Sequence, residues 1–355
     1  MSKFFSKKYA SLKPYTPGEQ PKGRKYIKLN TNESPFPPPS AVTKAVKQAS
    51  KSLHLYSDPD NTELVNLVAE KWGVKPCEVI ATNGSDEVLN FAFMAFCDGD
   101  TPAAFPDITY GFYAVFADLH GDPYQAIPLK EDFSIDPKDY MGVGKTVFIA
   151  NPNAPTGLHL SVAQIEEILR SNPDNVVVID EAYVDFGGES CVPLIYKYDN
   201  LLVTQTFSKS RSLAGGRLGL GFGCAKLIAD LQALRYSTNP YNVNKMTESA
   251  GVAALKSEEY YQKNVQTIIK NREYTKKALR KLGFTVLESK TNFLFIKTAK
   301  VDGFKLYEEL KARGVLVRHF KGERTGAYNR VTIGTKAQTD AFLACVKEIL
   351  KENEV

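Results

Sequence analysis

The loop after the apolar run 201–204 presents a lysine among small hydroxyl residues and glycines. It reads TFSKSRSLAGGR over residues 206–217, with Lys209 near its start and Arg217 at its end. Hydroxyl groups and an arginine donate hydrogen bonds to an anion, and glycines let the backbone approach it closely. An amine beside a bound phosphate is suited to imine chemistry, in which the neutral amine attacks an aldehyde. Lys209 is therefore a candidate covalent anchor, although any single lysine is more often an ordinary surface residue.

Other residues that a pyridoxal 5'-phosphate site needs occur at the ends of further apolar runs. This cofactor requires a lysine for its aldehyde, a carboxylate at its pyridine nitrogen, a donor to its phenolic oxygen, a phosphate-binding loop and an aromatic cover. Asp180 is the candidate carboxylate, Tyr183 the candidate donor, and Tyr110 the candidate cover for the ring. The candidate phosphate loop consists of backbone groups of Gly84, Ser85 and Asp86 together with Thr206, Ser208 and Arg217.

Each of these residues also has an ordinary structural explanation. A Gly-Ser-Asp turn or an aspartate caps helices, a tyrosine fills a core with its polar tip in water, and an arginine forms a surface ion pair. Their joint occurrence in this order is much harder to obtain by chance. The combination therefore favours a cofactor site.

Short apolar runs alternate with helical patterns through the first two thirds of the chain. Three of these runs, which end shortly before Asn153, Asp180 and Lys209, are predicted strands. The alternation predicts an α/β fold with a mostly parallel central sheet flanked by helices. Such sheets bind ligands at the carboxyl ends of their strands, so these three residues are expected to meet at one edge.

We expect three segments along the chain. Residues 1–39 are an N-terminal arm, residues 40–250 a large cofactor-binding domain, and residues 251–355 a smaller α+β domain. Four prolines in the five positions from 35 to 39 forbid a helix and favour an extended arm. Apolar residues of the arm, such as Ile27, need cover, so part of the arm is expected to pack on the small domain or on a neighbouring subunit.

Composition excludes several other classes of protein. The net charge of +5 is mild, and the basic residues are interspersed with acids, so no nucleic-acid partner is indicated. Five scattered cysteines without a C-x-x-C pair predict neither a disulfide framework nor a metal site. No apolar segment follows the basic start of the chain or approaches the ~20 residues of a membrane span. We therefore expect a cytoplasmic protein without a membrane partner.

Three motifs make the chain resemble the fold-type-I pyridoxal phosphate aminotransferases along nearly its whole length. They are NPNAPTG at 151–157, DEAY at 180–183 and TFSK at 206–209. Within that superfamily, the chain is similar to the histidinol-phosphate aminotransferases. The motifs that carry the second similarity are LKPY at 12–15, LNTNESPFPP at 29–38, YSDP at 56–59 and NRVTIG at 329–334.

The resemblance implies a homodimer with active sites at the subunit interface. Tyr56 would reach the cofactor phosphate of the neighbouring subunit. Arg318 and Arg330 match the arginines that hold the substrate's phosphate or carboxylate, and Tyr15 and Asn32 lie on the arm that covers the substrate.

The chain departs from the family pattern in one motif. Many relatives carry N-N-P-T-G, whose second asparagine contacts the phenolic oxygen, whereas this chain has Asn153 followed by Ala154. Either Asn153 takes over that contact or Tyr183 makes it alone.

The reaction implied by the resemblance is reversible transamination in histidine biosynthesis. L-Histidinol phosphate and 2-oxoglutarate would give imidazole-acetol phosphate and glutamate. Aromatic amino-acid aminotransferases and threonine-phosphate decarboxylases share the fold and differ in the pocket, so both remain alternatives. A cofactor-binding regulator without turnover is less expected, because no helix-turn-helix pattern precedes the arm. A purely structural protein would give Asp180, Lys209 and Arg217 no reason to align at strand ends.

Overall fold

The computed structural model describes residues 2–10 and 12–353, which form thirteen strands and ten α-helices. The strands are β1 (Ile27–Lys28), β2 (Val79–Thr82), β3 (Ala103–Pro106), β4 (Tyr124–Ile127), β5 (Thr146–Ala150), β6 (Val177–Asp180), β7 (Leu201–Thr206), β8 (Gly219–Gly223), β9 (Thr285–Val286), β10 (Phe293–Lys297), β11 (Val315–Leu316), β12 (Arg318–His319) and β13 (Asn329–Thr332). The helices are α1 (Ser40–Ala49), α2 (Thr62–Trp72), α3 (Ser85–Phe96), α4 (Phe112–His120), α5 (Val162–Ser171), α6 (Ala225–Thr238), α7 (Lys245–Leu255), α8 (Glu258–Lys281), α9 (Gly303–Ala312) and α10 (Lys336–Glu352).

Seven strands form the central sheet, in the order β2-β8-β7-β6-β5-β3-β4. β8 runs antiparallel to both of its neighbours, and the other adjacent strands pair in parallel. The prediction of a mostly parallel sheet flanked by helices is confirmed. The reversal of β8 follows from its connection, because residues 207–218 contain one short 3-10 turn and no crossover helix that could carry the chain back to the other end of the sheet.

Apolar packing covers both faces of this sheet. In β6, the side chains of Val177 and Ile179 join one hydrophobic core, and Val178 between them joins another. This alternation follows from the two-residue period of a strand. Both faces of the central sheet are therefore apolar and covered. The polar side chains lie at the ends of its strands, where they can line a cavity.

The C-terminal part forms a second, smaller layer. A four-stranded antiparallel sheet, β12-β13-β10-β9, packs against α8 and α10 around its own apolar core. The arm joins it, because β1 pairs in parallel with β11 and the Thr332 N–H donates to the carbonyl of Leu29 at 2.9 Å. The predicted boundary between residues 250 and 251 falls inside α7.

Candidate active site

A cavity of about 210 Å³ lies at the carboxyl ends of β5, β6 and β7. A second chamber of about 370 Å³ adjoins it and shares Thr31, Tyr110, Ala154, Tyr183 and Lys209 with it. The inner cavity is lined by Thr31, Glu33, Ser85, Asp86, Tyr110, Ala150, Ala154, Asp180, Ala182, Tyr183, Thr206, Ser208, Lys209, Ala214 and Arg217. The structure thus brings the predicted lysine, carboxylate and phosphate-loop residues to one place.

Lys209 projects from the loop after β7. Its Nζ lies 3.5 Å from the carbonyl of Thr31 and 5.7 Å from the ring centre of Tyr183. Two residues further on, the buried Arg211 pairs with Glu258 at the start of α8, at 2.7 Å. This ion pair ties the loop to α8, so the Lys209 amine has a defined position between the two chambers.

Asp180 forms the floor of the inner cavity at the end of β6. Its carboxylate accepts hydrogen bonds from the Tyr113 hydroxyl at 3.1 Å and from the Ala182 N–H at 3.2 Å. Burial raises the pKa of Asp180 to about 6, and the hydrogen bond from Tyr113 only partly offsets it. A cationic N–H donor at this carboxylate would lower that pKa again, and a protonated pyridine nitrogen is such a donor.

The predicted phosphate loop is assembled around the first turn of α3. Gly84 precedes the helix with φ +82°, and the guanidinium of Arg217 packs so close that a Cβ on Gly84 would lie 2.4 Å from Nη2. A Cβ on Gly219 would lie 2.2 Å from the Ser85 nitrogen, so β8 can approach the helix start only with glycine there. The free N–H groups of a helix start, beside an arginine, form a site suited to an anion.

Hydroxyl groups complete this anion site. Thr206 Oγ1 lies 3.0 Å from Ser208 Oγ, and Ser208 Oγ lies 3.4 Å from Arg217 Nη1. All three residues line the inner cavity. The groups predicted from the sequence to bind a phosphate are therefore adjacent in the fold.

Tyr183 keeps its hydroxyl proton available because another residue satisfies its oxygen. Asn32 donates from Nδ2 to the Tyr183 hydroxyl at 2.9 Å, and its own Oδ1 accepts from Thr332 at 2.9 Å. Both Asn32 contacts are buried, so this residue orients Tyr183 and ties the arm to the small domain. Direct contact between Asn32 and a substrate stays a prediction.

Asn153 lies under the active site with its amide already engaged. Its Oδ1 accepts from Thr109 at 2.7 Å, and its Nδ2 donates to the carbonyl of Ile108 at 2.9 Å. Ala154, and not Asn153, lines both chambers. Of the two alternatives left open by the sequence, the geometry favours Tyr183 as the only donor to a phenolic oxygen.

Two arginines face the outer chamber from adjacent strands. Arg330 is partly buried; its Nη2 donates to the carbonyl of Asn30 at 3.1 Å, and its buried Nε has no hydrogen-bond partner within the described residues. Arg318, directly opposite in the strand register, is partly exposed, and among the described residues it has only long bonds, to the Thr16 and Pro17 carbonyls at 3.3 and 3.4 Å. Guanidinium groups with unused donors suit a phosphate or carboxylate.

The other predicted residues have different surroundings. Tyr15, on the arm, stacks on Phe112 with 4.3 Å between ring centres and lines the outer chamber. Tyr56 lines neither chamber; it is 79% exposed and stacks on Tyr241 at 4.4 Å.

Sequence reasoning missed the side chains of Tyr113 and Asp86, which contact Asp180 and Arg217, respectively. The only signal for Tyr113 was its position three residues after Tyr110.

A family model described as aminotransferase class I and II matches residues 24–346. The chain belongs to the class I and II aminotransferases. Dependence on pyridoxal phosphate is general in this family. Within the described residues of this aminotransferase, no helix is both long and apolar enough to cross a membrane.

Individual relatives place the chain's similarity more closely within the class I and II aminotransferases. The chain is 48% identical over 353 residues to a histidinol-phosphate aminotransferase of Brachyspira hyodysenteriae, covering 99% of this chain and 100% of the relative. It is 45% identical over 351 residues to one of Clostridium acetobutylicum, with 99% and 100% coverage. The predicted similarity to histidinol-phosphate aminotransferases is confirmed. A crystal structure of histidinol-phosphate aminotransferase from Sinorhizobium meliloti in complex with pyridoxal 5'-phosphate has the same fold, with a TM-score of 0.85, 23% identity, and coverage of 93% of this chain and 92% of that one.

Proposed function

We propose that this aminotransferase converts L-histidinol phosphate and 2-oxoglutarate into imidazole-acetol phosphate and glutamate. The observation that carries the proposal is the pair Arg318 and Arg330 in the chamber beside Lys209, since the buried Nε of Arg330 is an unused N–H donor. Phosphate and the distal carboxylate of glutamate are both anions that a guanidinium fork binds. The full-length similarity to relatives of that name supports the same substrates.

The inner cavity fits pyridoxal phosphate by the chemistry of its donors. Asp180 would face the pyridine nitrogen, Arg217 and the start of α3 would hold the phosphate, and Tyr110 would cover the ring; all of these groups line the cavity. When bound, the cofactor supplies an aldehyde carbon for the amino group and a ring that withdraws electrons from the substrate Cα.

The chain's own residues then divide the remaining work. The Lys209 amine takes the proton from the substrate Cα and returns it during the reverse reaction, as a general acid and base. The Asp180 carboxylate holds the proton on the pyridine nitrogen. Tyr183 donates to the phenolic oxygen, while Tyr15 and the arm exclude water from the outer chamber.

The two rival activities differ from this one in their products. An aromatic aminotransferase would form glutamate from 2-oxoglutarate with L-phenylalanine as donor, and a threonine-phosphate decarboxylase would release CO2 from O-phospho-L-threonine. We expect kcat/KM for glutamate formation with L-histidinol phosphate to exceed that with L-phenylalanine by at least about 100-fold. The reason is that L-histidinol phosphate brings a phosphate dianion to Arg318 and Arg330, whereas L-phenylalanine brings a single carboxylate to the same two cations. No CO2 should be released from O-phospho-L-threonine. A preference for phenylalanine, or release of CO2, would overturn the proposed substrate.

The active form is a homodimer in which Tyr56 completes the neighbour's phosphate site. Leu53, Leu55 and Tyr56 follow α1 in the chain and are each more than half exposed, so this short segment presents apolar side chains to solvent. We expect sedimentation equilibrium to give twice the chain mass. Leu55→Asp should shift the protein to monomer and weaken cofactor binding, whereas Phe304→Asp, at another exposed apolar side chain, should leave the dimer intact. A fully active monomer would contradict this assembly.

A further inference from the structure

A carboxylate side chain lies inside the cavity that is proposed to bind a phosphate. Asp86, in the first turn of α3, accepts a hydrogen bond from Arg217 Nη2 through Oδ2 at 2.8 Å. Its other oxygen, Oδ1, accepts from the Tyr110 hydroxyl at 2.6 Å. The three residues come from separate parts of the chain and line the same cavity. A negative charge in this position needs an explanation, since it should repel the phosphate dianion.

We propose that Asp86 is a positioning residue, whose single carboxylate fixes both the guanidinium that binds the cofactor phosphate and the tyrosine that covers the cofactor ring. The inference rests on the proposed pyridoxal phosphate site. It goes beyond the backbone contact expected of Asp86 from the sequence, because here the side chain acts through two neighbours.

Arg217 needs a partner that holds its guanidinium in place. Its side chain is 44% exposed, and its one bond to the loop within the described residues is the long contact with Ser208 at 3.4 Å, so the loop confines the guanidinium only weakly. Ordering such a long side chain costs up to about 2 kcal/mol in rotamer entropy. The bond to Asp86 covers this cost before the cofactor arrives and uses only one of the five guanidinium N–H donors. The donors that bond neither Asp86 nor Ser208 stay available for phosphate oxygens.

Tyr110 is the second side chain that Asp86 holds. Burial raises the pKa of its hydroxyl far above the usual range, and the charge of Asp86 adds to the effect, so the group remains an O–H donor. The ring packs edge-on against Tyr113 at 5.8 Å, and Tyr113 in turn donates to Asp180. Asp86 is thereby linked through two tyrosines to the carboxylate at the pyridine end. Its charge also raises the pKa of Asp180, after burial as the main cause.

Positioning and simple repulsion predict opposite results for Asp86→Asn. Asparagine has the same shape, removes the charge, and can accept from only one of the two donors. If the carboxylate mainly repels phosphate, the variant should bind pyridoxal phosphate more tightly. If it mainly positions Arg217 and Tyr110, the variant should bind it more weakly, by about 10- to 100-fold, which corresponds to the loss of one charge-assisted hydrogen bond.

The test is the dissociation constant of the cofactor-free protein for pyridoxal phosphate, and separately for pyridoxal, which lacks the phosphate. We expect Asp86→Asn to reduce the ratio of the two affinities by about tenfold, because the Arg217 contribution disappears only for the phosphorylated ligand. A general loss of structure would weaken both ligands equally and leave the ratio unchanged. Tyr110→Phe should weaken both ligands and be less than additive with Asp86→Ala, since each removes the same hydrogen bond.

Glu87→Gln is the matched control. Glu87 sits one residue further in the same helical turn and accepts from the Asn83 N–H at 2.7 Å, and it bonds neither Arg217 nor Tyr110 in the described structure. The Glu87→Gln variant removes the same charge from the same helix start as Asp86→Asn. It should change the affinity for pyridoxal phosphate and for pyridoxal by no more than about threefold.

Unchanged or tighter binding of pyridoxal phosphate by Asp86→Asn would overturn the inference, as would full additivity of Asp86→Ala with Tyr110→Phe. The outcome does not depend on the amino substrate. Failure of the wild-type protein to accept L-histidinol phosphate would sink the proposed function and leave this inference standing.

Discussion

Replacing Lys209 with alanine is expected to reduce turnover by about 10²- to 10⁴-fold while leaving cofactor binding largely intact. The amine is the general base proposed for the substrate Cα, and such groups contribute about 10²- to 10⁴-fold. The groups that hold the phosphate and the pyridine nitrogen, Arg217 and Asp180, are untouched by the change. The measurements are steady-state kcat with L-histidinol phosphate and the content of bound pyridoxal phosphate after dialysis.

The control for this variant is Lys256→Ala. Lys256 pairs with Glu63 on the surface and lines neither chamber, so its loss should change kcat by less than about twofold. A small added amine such as ethylamine should partly restore the Lys209→Ala rate, because the space vacated by the side chain adjoins the reacting atom. Normal activity of Lys209→Ala would refute the role assigned to Lys209.

Asp180→Asn is expected to stabilise the cofactor-free protein near neutral pH and yet reduce turnover by about 10²- to 10⁴-fold. The turnover loss follows because asparagine supplies no charge to pair with the protonated pyridine nitrogen, and breaking a buried ion pair costs about 3 to 5 kcal/mol. Turnover is measured with saturating cofactor. Wild-type kcat in this variant would contradict the pyridine contact.

The stability effect has a defined pH window. Burial raises the pKa of Asp180 from 3.8 in the unfolded chain to about 6 in the fold. The protonated carboxyl therefore stabilises the fold below pH 4, and this contribution is lost as the pH rises through 6. Asparagine remains neutral throughout. Its free energy of unfolding, relative to the wild type, should increase by up to about 3 kcal/mol between pH 4 and pH 7.

Glu181→Gln separates the buried charge from the cofactor contact. Burial raises the pKa of Glu181 to about 7, but this residue points to Ser190 and Gln205 and lines neither chamber of the active site. Its variant should show a pH trend in unfolding of the same sign and lose no more than about tenfold in turnover. A flat pH dependence for Asp180→Asn relative to the wild type would show that Asp180 is ionised in the cofactor-free fold.

Local patterns in the sequence were sufficient to predict the sheet edge and the residues that meet there. Lys209 and Asp180 each follow a short apolar run, and a run of that kind folds as a buried strand whichever strand it pairs with. The glycine before Ser85 likewise marks a helix start by itself. These predictions depend on residues close together in the chain, and the structure places them as expected.

Features that depend on distant parts of the chain were not predictable in the same way. The contact of Asp86 with Arg217 joins residues 131 positions apart, and nothing in either local pattern selects the other. Asn32 adopts φ +57° and uses its amide on Thr332 and Tyr183, which a motif match alone does not reveal. The orientation of β8 was also missed, because the direction of a strand depends on the length and shape of its connection.

A single half-reaction without 2-oxoglutarate distinguishes the proposed amino substrate from its aromatic rival. Cofactor-loaded protein is mixed with L-histidinol phosphate, in parallel with L-phenylalanine, and the visible absorbance of the bound cofactor is followed in a stopped-flow instrument. We expect rapid loss of that absorbance with L-histidinol phosphate and a rate at least about 100-fold lower with L-phenylalanine. Faster conversion with phenylalanine, or no conversion with L-histidinol phosphate, would contradict the proposed function.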